Sequence, residues 1–261
     1  PAQACDRPEC CPCCLRSGVP PQLWRYTNLI QRSLANVDAL LAPSEYTAQQ
    51  HRAAGLATPI EVLPTFSSLE PGSPVRRVRR ERPCFVFVGR ITASKGIGVL
   101  LEEFARLPAF DLDVIGDGEL QYRLKEQYAG HRHIRFLGSV PQRELIGAYQ
   151  SATALILPSL APEVFPLTVL EALACGTPAV VHDAGGNREA VEKTGGGFVY
   201  RSGKELRQFL SALAEDATLR ETLAQRARSG YERFYTRAQY MARYFRVIDA
   251  IGKTKGVTVG A

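Results

Sequence analysis

The chain has 261 residues, of which 45% are hydrophobic and 22% charged, as is ordinary for a soluble globular protein. No run of about 18 apolar residues occurs, which excludes a transmembrane helix of the usual kind. The sequence begins at Pro1 without a charged-then-apolar leader, so no signal peptide is visible, and we expect that further sequence precedes this segment.

Much of the net charge of +6 lies in one short arginine-rich run. Its members are Arg76, Arg77, Arg79, Arg80 and Arg82. Such a run can contact phosphates or an anionic membrane surface, or it can be a solvated linker, which is the interpretation we favour. Aromatic and basic residues do not interleave along one face elsewhere, so nothing indicates nucleic-acid binding.

Five of the seven cysteines lie close together near the start of the chain. They are Cys5, Cys10, Cys11, Cys13 and Cys14. Two overlapping Cys-x-x-Cys pairs have the spacing at which two thiolates reach one tetrahedral zinc ion, and Cys5 could supply a third ligand. The alternatives are therefore a structural zinc site at Cys5, Cys10, Cys13 and Cys14, or reduced thiols and adventitious disulfides. Cys84 and Cys175 fall inside apolar runs, which predicts that they are small buried core residues.

Residues 1–66 have the pattern of the end of a domain rather than of a whole one. The short apolar run 39–42 is followed by Ser44, which suits the N-cap of a helix that Gly55 would end. Residues 67–82 are rich in Ser, Pro, Gly and Arg and lack apolar periodicity. That composition predicts a linker.

Between residues 83 and 235, short apolar runs alternate with amphipathic helical patterns. The predicted strands are Cys84–Val88, Leu112–Ile115, Ile134–Leu137, Ala154–Leu157, Ala179–Val181 and Gly197–Tyr200. This alternation predicts an α/β fold, in which a Rossmann-like parallel sheet is flanked by helices. Ligands bind such sheets at the carboxyl ends of the strands, near the point where the strand order reverses. Helical patterns continue to about residue 250, and residues 251–261 are predicted to form a flexible tail.

The turn after the first predicted strand contains Gly89, Arg90 and Lys95. Gly89 permits a close approach of the backbone to a ligand. An arginine fork beside a lysine point charge suits a diphosphate, although cations near a strand end are equally common without a ligand. The next strand ends at Gly116 in a Gly-Asp-Gly triplet. Because residue 121 is Gln, this triplet is not the dinucleotide-binding fingerprint, and an NAD-binding interpretation loses most of its support.

The segment after the fourth predicted strand carries the strongest signal. Its loop contains Glu163, and a helix is predicted to start around Pro166, which suits the first helical turn because it has no N–H to lose. Free N–H groups at such a helix start form an anion site. These groups belong to Phe165, Leu167 and Thr168. Glu171, about one turn further on, can accept hydrogen bonds from ribose hydroxyls, as Glu163 can from a sugar; alternatively, both glutamates merely flank an amphipathic helix.

The stretch from Glu163 to Glu171 resembles the two-glutamate motif of retaining glycosyltransferases of GT-B architecture, within the large family four. The similarity extends over about residues 38–250, and the motifs keep the order and spacing of the family. Further matching stretches are Val88–Arg90, Lys95–Gly96, Ala172–Val181 and Gly185–Glu189.

The resemblance implies roles for individual residues. Arg90 and Lys95 would bind the donor diphosphate and stabilise the leaving nucleotide, and Glu163 would contact the donor sugar; these three are the candidate catalytic residues. Glu171 would hold the ribose. The other candidate substrate contacts are Gly89, Gly116, Val140 in the base pocket, Val164, Phe165, Pro166, Leu167 and Thr168. Pro166 departs from the family pattern, because many relatives have Gly there, and it removes one possible N–H donor.

The function implied is transfer of a hexose from a UDP-, GDP- or ADP-sugar to a carbohydrate, lipid or small-molecule acceptor. The resemblance further implies retention of anomeric configuration and no metal or other cofactor in catalysis. We expect a cytoplasmic enzyme of cell-envelope polysaccharide biosynthesis, with peripheral contact to the inner face of the membrane as a further expectation. The alternatives are a non-catalytic nucleotide-sugar-binding module and a nucleotide-sugar epimerase of the same architecture.

Within the implied GT-B architecture, residues 1–66 would be the end of the N-terminal acceptor domain, which is otherwise missing, and residues 83–235 the donor domain. The helix 236–250 would cross back to the first domain. The histidine that relatives place in that domain has no counterpart here. The histidines present are expected at the surface or at strand ends: His51, His131, His133 and His182. We therefore expect the isolated chain to bind donor weakly and to be inactive or weakly active.

Overall fold

A computed structural model of the chain describes residues 10–16, 18, 20, 27, 29–69 and 80–256. Its N-terminal part contains two short helices and a small βαβ unit. The elements are α1 (Cys10–Arg16), α2 (Leu29–Ser33), β1 (Leu40–Ala42), α3 (Glu45–Ala53) and β2 (Ile60–Val62). Strands β1 and β2 pair in parallel, and Ser44 caps α3 as predicted, because its hydroxyl oxygen accepts the N–H of Thr47 at 3.1 Å.

The six predicted apolar runs form one parallel sheet. Its strands are β3 (Cys84–Val88), β4 (Asp111–Ile115), β5 (Ile134–Gly138), β6 (Ala154–Leu157), β7 (Ala179–His182) and β8 (Gly197–Tyr200). Their spatial order is β5-β4-β3-β6-β7-β8, so the strand order reverses between β3 and β6. This is the doubly wound arrangement of Rossmann-like domains, and it confirms the predicted fold class. The carboxyl ends of β3 and β6 thus border one crevice, which we call the switch-point crevice.

Helices pack on both faces of the sheet. They are α4 (Ile97–Ala105), α5 (Gln121–Gln127), α6 (Gln142–Ser151), α7 (Leu167–Ala174), α8 (Asn187–Thr194), α9 (Gly203–Glu215) and α10 (Ala217–Phe234). Because successive side chains of a strand point to opposite faces, β3 contributes Val86 to one buried apolar cluster and Phe85 to the other. Cys84 and Cys175 are buried in this core, as predicted.

The last helix, α11 (Arg237–Lys255), returns to the N-terminal segment. The Tyr240 ring lies 5.1 Å from that of Phe66 between centroids, and Lys255 Nζ lies 2.7 Å from Asp38 Oδ1. The helix ends only at Lys255, so residues 251–255, predicted to belong to a flexible tail, are helical. The physical reason is that the glycine that ends the helix, in a left-handed conformation with a φ of 66°, is Gly256. In the described part of the chain, no helix is both long and apolar enough to cross a membrane.

Both ends of the predicted linker pack against the sheet domain. Leu69 is buried in the core. Arg80 Nη1 lies 2.9 Å from Asp113 Oδ2, and Arg82 Nε lies 3.0 Å from Asp111 Oδ1. The interpretation of the arginine run as a solvated linker is therefore wrong for Arg80, whose partly buried side chain pairs with Asp113. Arg82 also pairs with a carboxylate of β4 but remains exposed. Arg76, Arg77 and Arg79 lie outside the described residues.

Candidate active site

The turn after β3 is held against the loop after β6. Gly96 has a φ of 70°, and a Cβ there would lie 1.9 Å from the Pro158 carbonyl oxygen, so only glycine fits. The Ser94 carbonyl accepts the N–H groups of Leu160 and Ala161, at 2.9 and 3.1 Å. These contacts fix the position of Lys95, which lies between Ser94 and Gly96, relative to the loop that carries Glu163.

A second loop, after β7, fixes the backbone of Glu163 itself. Glu163 forms a parallel bridge with Gly185, and its carbonyl accepts the N–H of Gly186 at 2.7 Å. A Cβ on Gly186 would lie 2.4 Å from the Val164 carbonyl oxygen, and Gly185 has a φ of 64°. The paired glycines therefore allow the loops after β6 and β7 to meet, which orients the Glu163 side chain toward the switch-point crevice.

Lys95 and Glu163 meet across the crevice. Lys95 Nζ lies 2.5 Å from Glu163 Oε1, and the two side chains are only 22% and 19% exposed. The same carboxylate oxygen accepts a hydrogen bond from the Ser159 hydroxyl at 2.6 Å. A cation from β3 and an anion from β6 thus share the point where ligands bind in this fold.

Arg90 lies in the same turn as Lys95, in a second part of the crevice. It is exposed, and no acceptor for its guanidinium is found among the described residues. It borders a cleft of about 380 Å³. The cleft is lined by Val88, Gly89, Arg90, Ile115, Gly116, Asp117, Ser139, Val140 and Leu145. Gly116 has a φ of 130°, and a Cβ there would lie 2.0 Å from the Gly89 carbonyl oxygen, so this corner of the cleft requires a bare backbone.

The N-terminus of α7 supplies donors next to Glu163. The helix begins at Leu167, one residue later than predicted, and Pro166 is the residue before it. The amide groups of Phe165, Leu167 and Thr168 have no acceptor within the described ranges. Phe165 and Pro166 are buried, whereas the side chains of Val164 and Leu167 are exposed at the rim. Free amides at a helix start are available to an anion. The anion site itself stays a prediction.

Glu171 lies on α7 and is almost completely buried, with 8% exposure. Its Oε2 accepts the hydroxyl of Tyr149 at 2.8 Å. Burial raises the pKa of the Glu171 carboxyl above its ordinary value of 4.5, while hydrogen bonds from Tyr149 and Gln142 act in the opposite direction. Burial likewise raises the pKa of Tyr149 well above its ordinary value, so its hydroxyl remains a donor. Further hydroxyl donors would stabilise the ionised form of this buried carboxylate.

One acidic pair with metal-motif spacing lies elsewhere in the molecule. Asp111 and Asp113 form an Asp-Leu-Asp triplet in β4. Arg80 and Arg135 both pair with Asp113, at 2.9 and 2.7 Å, and Arg82 pairs with Asp111. The arginines therefore neutralise both carboxylates, and Cys84, the first residue of β3, also contacts Asp113. This cluster lies away from the carboxyl ends of the strands. Its ion pairs stabilise the sheet domain and do not contribute side chains to the crevice.

The predicted zinc site falls largely outside the described residues. Cys5 lies outside them, and the side chains of Cys10 and Cys13 are not described, although their backbones begin α1 together with Cys14. Among the described side chains, no three His, Cys, Asp or Glu residues cluster as metal ligands would. The zinc site stays a prediction.

The structure brings the sequence-predicted residues together in two groups. Lys95 and Glu163 meet in the crevice, and α7 begins four residues after Glu163. Gly89, Arg90, Gly116 and Val140 line the adjoining cleft. Glu171 is linked to this cleft by a hydrogen bond from Gln142, which lies two residues after Val140 in the chain. Sequence reasoning missed Ser159 and Tyr149, whose hydroxyls donate to Glu163 and Glu171. It also missed His182, which bonds the Ser159 carbonyl. Only Ser159 had a signal, because it stands four residues before Glu163 at a strand end.

A doubly wound sheet whose switch-point crevice carries two cations, free helix amides and carboxylates belongs to the class of Rossmann-like domains that bind an anionic ligand at that point. The family model described as glycosyl transferases group 1 matches residues 73–230. The chain therefore belongs to the group 1 glycosyltransferases, with the predicted GT-B fold.

Individual relatives agree with this assignment. The sulfoquinovosyl transferase SQD2 of Arabidopsis thaliana is 30% identical over 180 residues, which cover 67% of this chain and 35% of that protein. The D-inositol 3-phosphate glycosyltransferase of Corynebacterium jeikeium is 34% identical over 189 residues, covering 62% and 45%. The chain thus spans less than half the length of either relative.

Solved structures show the same fold. Sucrose-phosphate synthase from Thermosynechococcus elongatus superimposes with a TM-score of 0.73 at 21% identity, covering 91% of this chain and 66% of that one. Alr3699/HepE of Anabaena, in complex with UDP-glucose, gives a TM-score of 0.71 at 22% identity, covering 87% and 68%.

Proposed function

We propose that this chain is the donor-binding half of a retaining glycosyltransferase that uses a nucleotide-diphosphate-sugar. The observation that carries the proposal is the contact of Lys95 with Glu163 at the switch-point crevice, beside Arg90 and the free amides of α7. A diphosphate needs cations and N–H donors, and a sugar needs hydrogen-bond acceptors. In the crevice, the cation of Lys95 and the acceptor of Glu163 lie 2.5 Å apart.

The charge distribution suits the cleavage of a bond between an anomeric carbon and a phosphate. As this bond breaks, negative charge builds up on the nucleotide diphosphate, and the sugar becomes oxocarbenium-like. Arg90, Lys95 and the α7 amides would stabilise the leaving diphosphate, because they would place two cations and several N–H donors beside the developing charge. Retention of anomeric configuration is proposed on the family resemblance alone.

Two carboxylates would position the donor. Glu163 would accept hydrogen bonds from hydroxyls of the sugar, and Glu171 from hydroxyls of the ribose. The cleft beside Gly116 and Val140 would hold the base, and its volume of about 380 Å³ is that of a small ligand site. The complex of Alr3699/HepE with UDP-glucose supports a nucleotide-sugar donor here. We propose a carbohydrate, lipid or small-molecule acceptor bound mainly outside this chain.

A thermal-shift panel of UDP-, GDP- and ADP-sugars tests the proposal. We expect one nucleotide class to raise the Tm of the chain, because a ligand that binds only the folded state stabilises it. The shift should be lost in Lys95→Ala and Glu171→Ala. It should persist in Lys204→Ala and Glu126→Ala, which alter exposed residues of α9 and α5. No response to any sugar nucleotide would overturn the proposal.

A further inference from the structure

Ser159 has an unusual position for a residue outside the recognised motif. It is completely buried at the end of β6, and its hydroxyl donates to Glu163 Oε1 at 2.6 Å. The same oxygen accepts the ammonium of Lys95 at 2.5 Å. One carboxylate oxygen therefore has two donors, one mobile at the tip of a long side chain and one fixed to the sheet.

The binding of a diphosphate would affect the two donors differently. Lys95 lies in the same turn as Arg90, and phosphate oxygens bound there would compete with Glu163 for its ammonium. As Lys95 turns toward the diphosphate, Glu163 loses its cationic partner. Ser159 then remains as the donor that keeps the carboxylate in its orientation, because its hydroxyl is attached to buried backbone and cannot follow the ligand.

His182 fixes Ser159 from the neighbouring strand. It is the last residue of β7, and its Nδ1 lies 2.9 Å from the Ser159 carbonyl oxygen. A carbonyl oxygen only accepts, so Nδ1 carries the proton in this contact. The ring lies 5.3 Å from that of buried Tyr200, and the amide of Asn187 donates to the His182 carbonyl at 3.1 Å. The histidine is thus itself held in place by two neighbours.

We propose that Ser159 is a positioning residue that holds Glu163 for the donor sugar once Lys95 has engaged the diphosphate, and that His182 positions Ser159. This inference rests on the proposed function. It assigns to Ser159 and His182 an effect on the binding of the sugar and not on that of the nucleotide. A role limited to stability would instead weaken the binding of both.

The test compares each nucleoside diphosphate with its sugar nucleotide by titration calorimetry on the full chain. The pairs are UDP with UDP-glucose, GDP with GDP-mannose, and ADP with ADP-glucose. The pair that the wild type binds is then titrated into each variant. In Ser159→Ala we expect the Kd of the sugar nucleotide to rise about ten- to a hundredfold, the usual loss for one hydrogen bond to a charged group. The Kd of the diphosphate should stay within about twofold.

His182 provides a rescue that a structural role would not show. His182→Ala should raise the ratio of the two Kd values in the same direction as Ser159→Ala. His182→Asn should restore it, because the Asn amide can donate from nearly the position of Nδ1. Ser151→Ala, a matched serine change on α6 whose hydroxyl bonds the Ala148 carbonyl, should leave both Kd values unchanged.

The outcomes separate the inference from the proposed function. An equal loss for diphosphate and sugar nucleotide, or no loss for either, in Ser159→Ala would overturn the positioning role alone. Failure of His182→Asn to restore the ratio would overturn the part assigned to His182. If the wild-type chain binds none of the pairs, the proposed function fails, and this inference falls with it.

Discussion

Lys95 Nζ and Glu163 Oε1 lie 2.5 Å apart, although 68 residues separate them in the chain. Lys95 follows β3 and Glu163 follows β6, the two strands between which the sheet reverses its order. The ion pair therefore bridges the switch-point crevice, where a ligand would bind. A ligand diphosphate would have to share or displace this pair, which makes its energetics measurable.

Removing the charge of Glu163 should strengthen diphosphate binding. In Glu163→Gln, Lys95 loses its carboxylate partner, so its ammonium is free for the ligand. Because a partly exposed ion pair contributes at most about 1 kcal/mol, we expect the Kd of the nucleoside diphosphate to fall by up to about fivefold. Titration calorimetry with the diphosphate and with its sugar nucleotide measures this, and the sugar nucleotide should bind more weakly than to the wild type. Weaker diphosphate binding would show that Glu163 does not compete for Lys95.

Replacing Glu171 should stabilise the protein without ligand. Burial raises the pKa of this carboxyl, so the folded state binds its proton more readily than the unfolded state does. Stability linked to Glu171 is therefore greatest at acidic pH and decreases as the pH rises from its ordinary pKa of 4.5 through the raised value. Glu171→Gln keeps an acceptor for Tyr149 and carries no charge, so its Tm at pH 7 should exceed that of the wild type.

The pH dependence provides the control for Glu171. The Tm difference between Glu171→Gln and the wild type should shrink as the pH is lowered through the raised pKa of Glu171, because an increasing fraction of the wild-type carboxyl is then protonated. Glu126→Gln, an exposed change on α5, should have no such dependence. A lower Tm for Glu171→Gln at every pH would mean that the ionised carboxylate stabilises the fold.

Glu189 links the N-terminal segment to the sheet domain. Its two carboxylate oxygens accept the N–H groups of Glu45 and Tyr46, at 2.9 and 2.8 Å, at the start of α3. A carboxylate at a helix N-terminus satisfies free donors and interacts favourably with the helix dipole. In Glu189→Ala we expect amide hydrogen exchange in α3 to accelerate by about tenfold, which corresponds to ~1.4 kcal/mol. Glu215→Ala, at the end of α9, is the control; the same exchange rate in both variants would contradict the link.

The cysteines of the described part should differ in reactivity. Burial raises the pKa of the Cys84 thiol to about 12, so almost no reactive thiolate forms at pH 8. Cys14 is half-buried on α1. Peptide mass spectrometry after brief iodoacetamide treatment, with a chelator present to remove any bound zinc, should find Cys14 modified and Cys84 intact. Modification of Cys84 at a comparable rate would show that the strand end opens under native conditions.

The cysteine-rich segment carries a separate prediction. If Cys5, Cys10, Cys13 and Cys14 hold a structural zinc ion, the purified chain contains about one equivalent, because four thiolates complete a tetrahedral site. Cys5→Ser and Cys13→Ser should each lower the zinc content, whereas Cys175→Ser should not. Unchanged zinc content in both variants would remove the site.

Sequence reasoning located the strands and the motif residues because both are local signals. The runs 84–88 and 154–157 are apolar without interruption, as strands covered on both faces must be, and the structure has them at those bounds. The side-chain partners are a different matter. Tyr149 reaches Glu171 from another helix, and His182 reaches Ser159 from another strand, at sequence separations that no periodicity encodes.

Surface charges were misjudged for a related reason. Composition alone made the arginine run a solvated linker, whereas Arg80 pairs with Asp113, 33 residues later, once β4 lies beside β3. Lys255 likewise pairs with Asp38, which lies far away in the sequence. Such pairings follow from the topology, which a linear pattern predicts only in outline.

A crystal structure of the chain with the sugar nucleotide that stabilises it most tests the central claim directly. We predict the diphosphate in the switch-point crevice, with its oxygens within hydrogen-bond distance of Lys95 Nζ and the amides of α7, and the sugar hydroxyls against Glu163. A nucleotide bound elsewhere, or one in the crevice whose diphosphate leaves Lys95 without contact, would contradict the account.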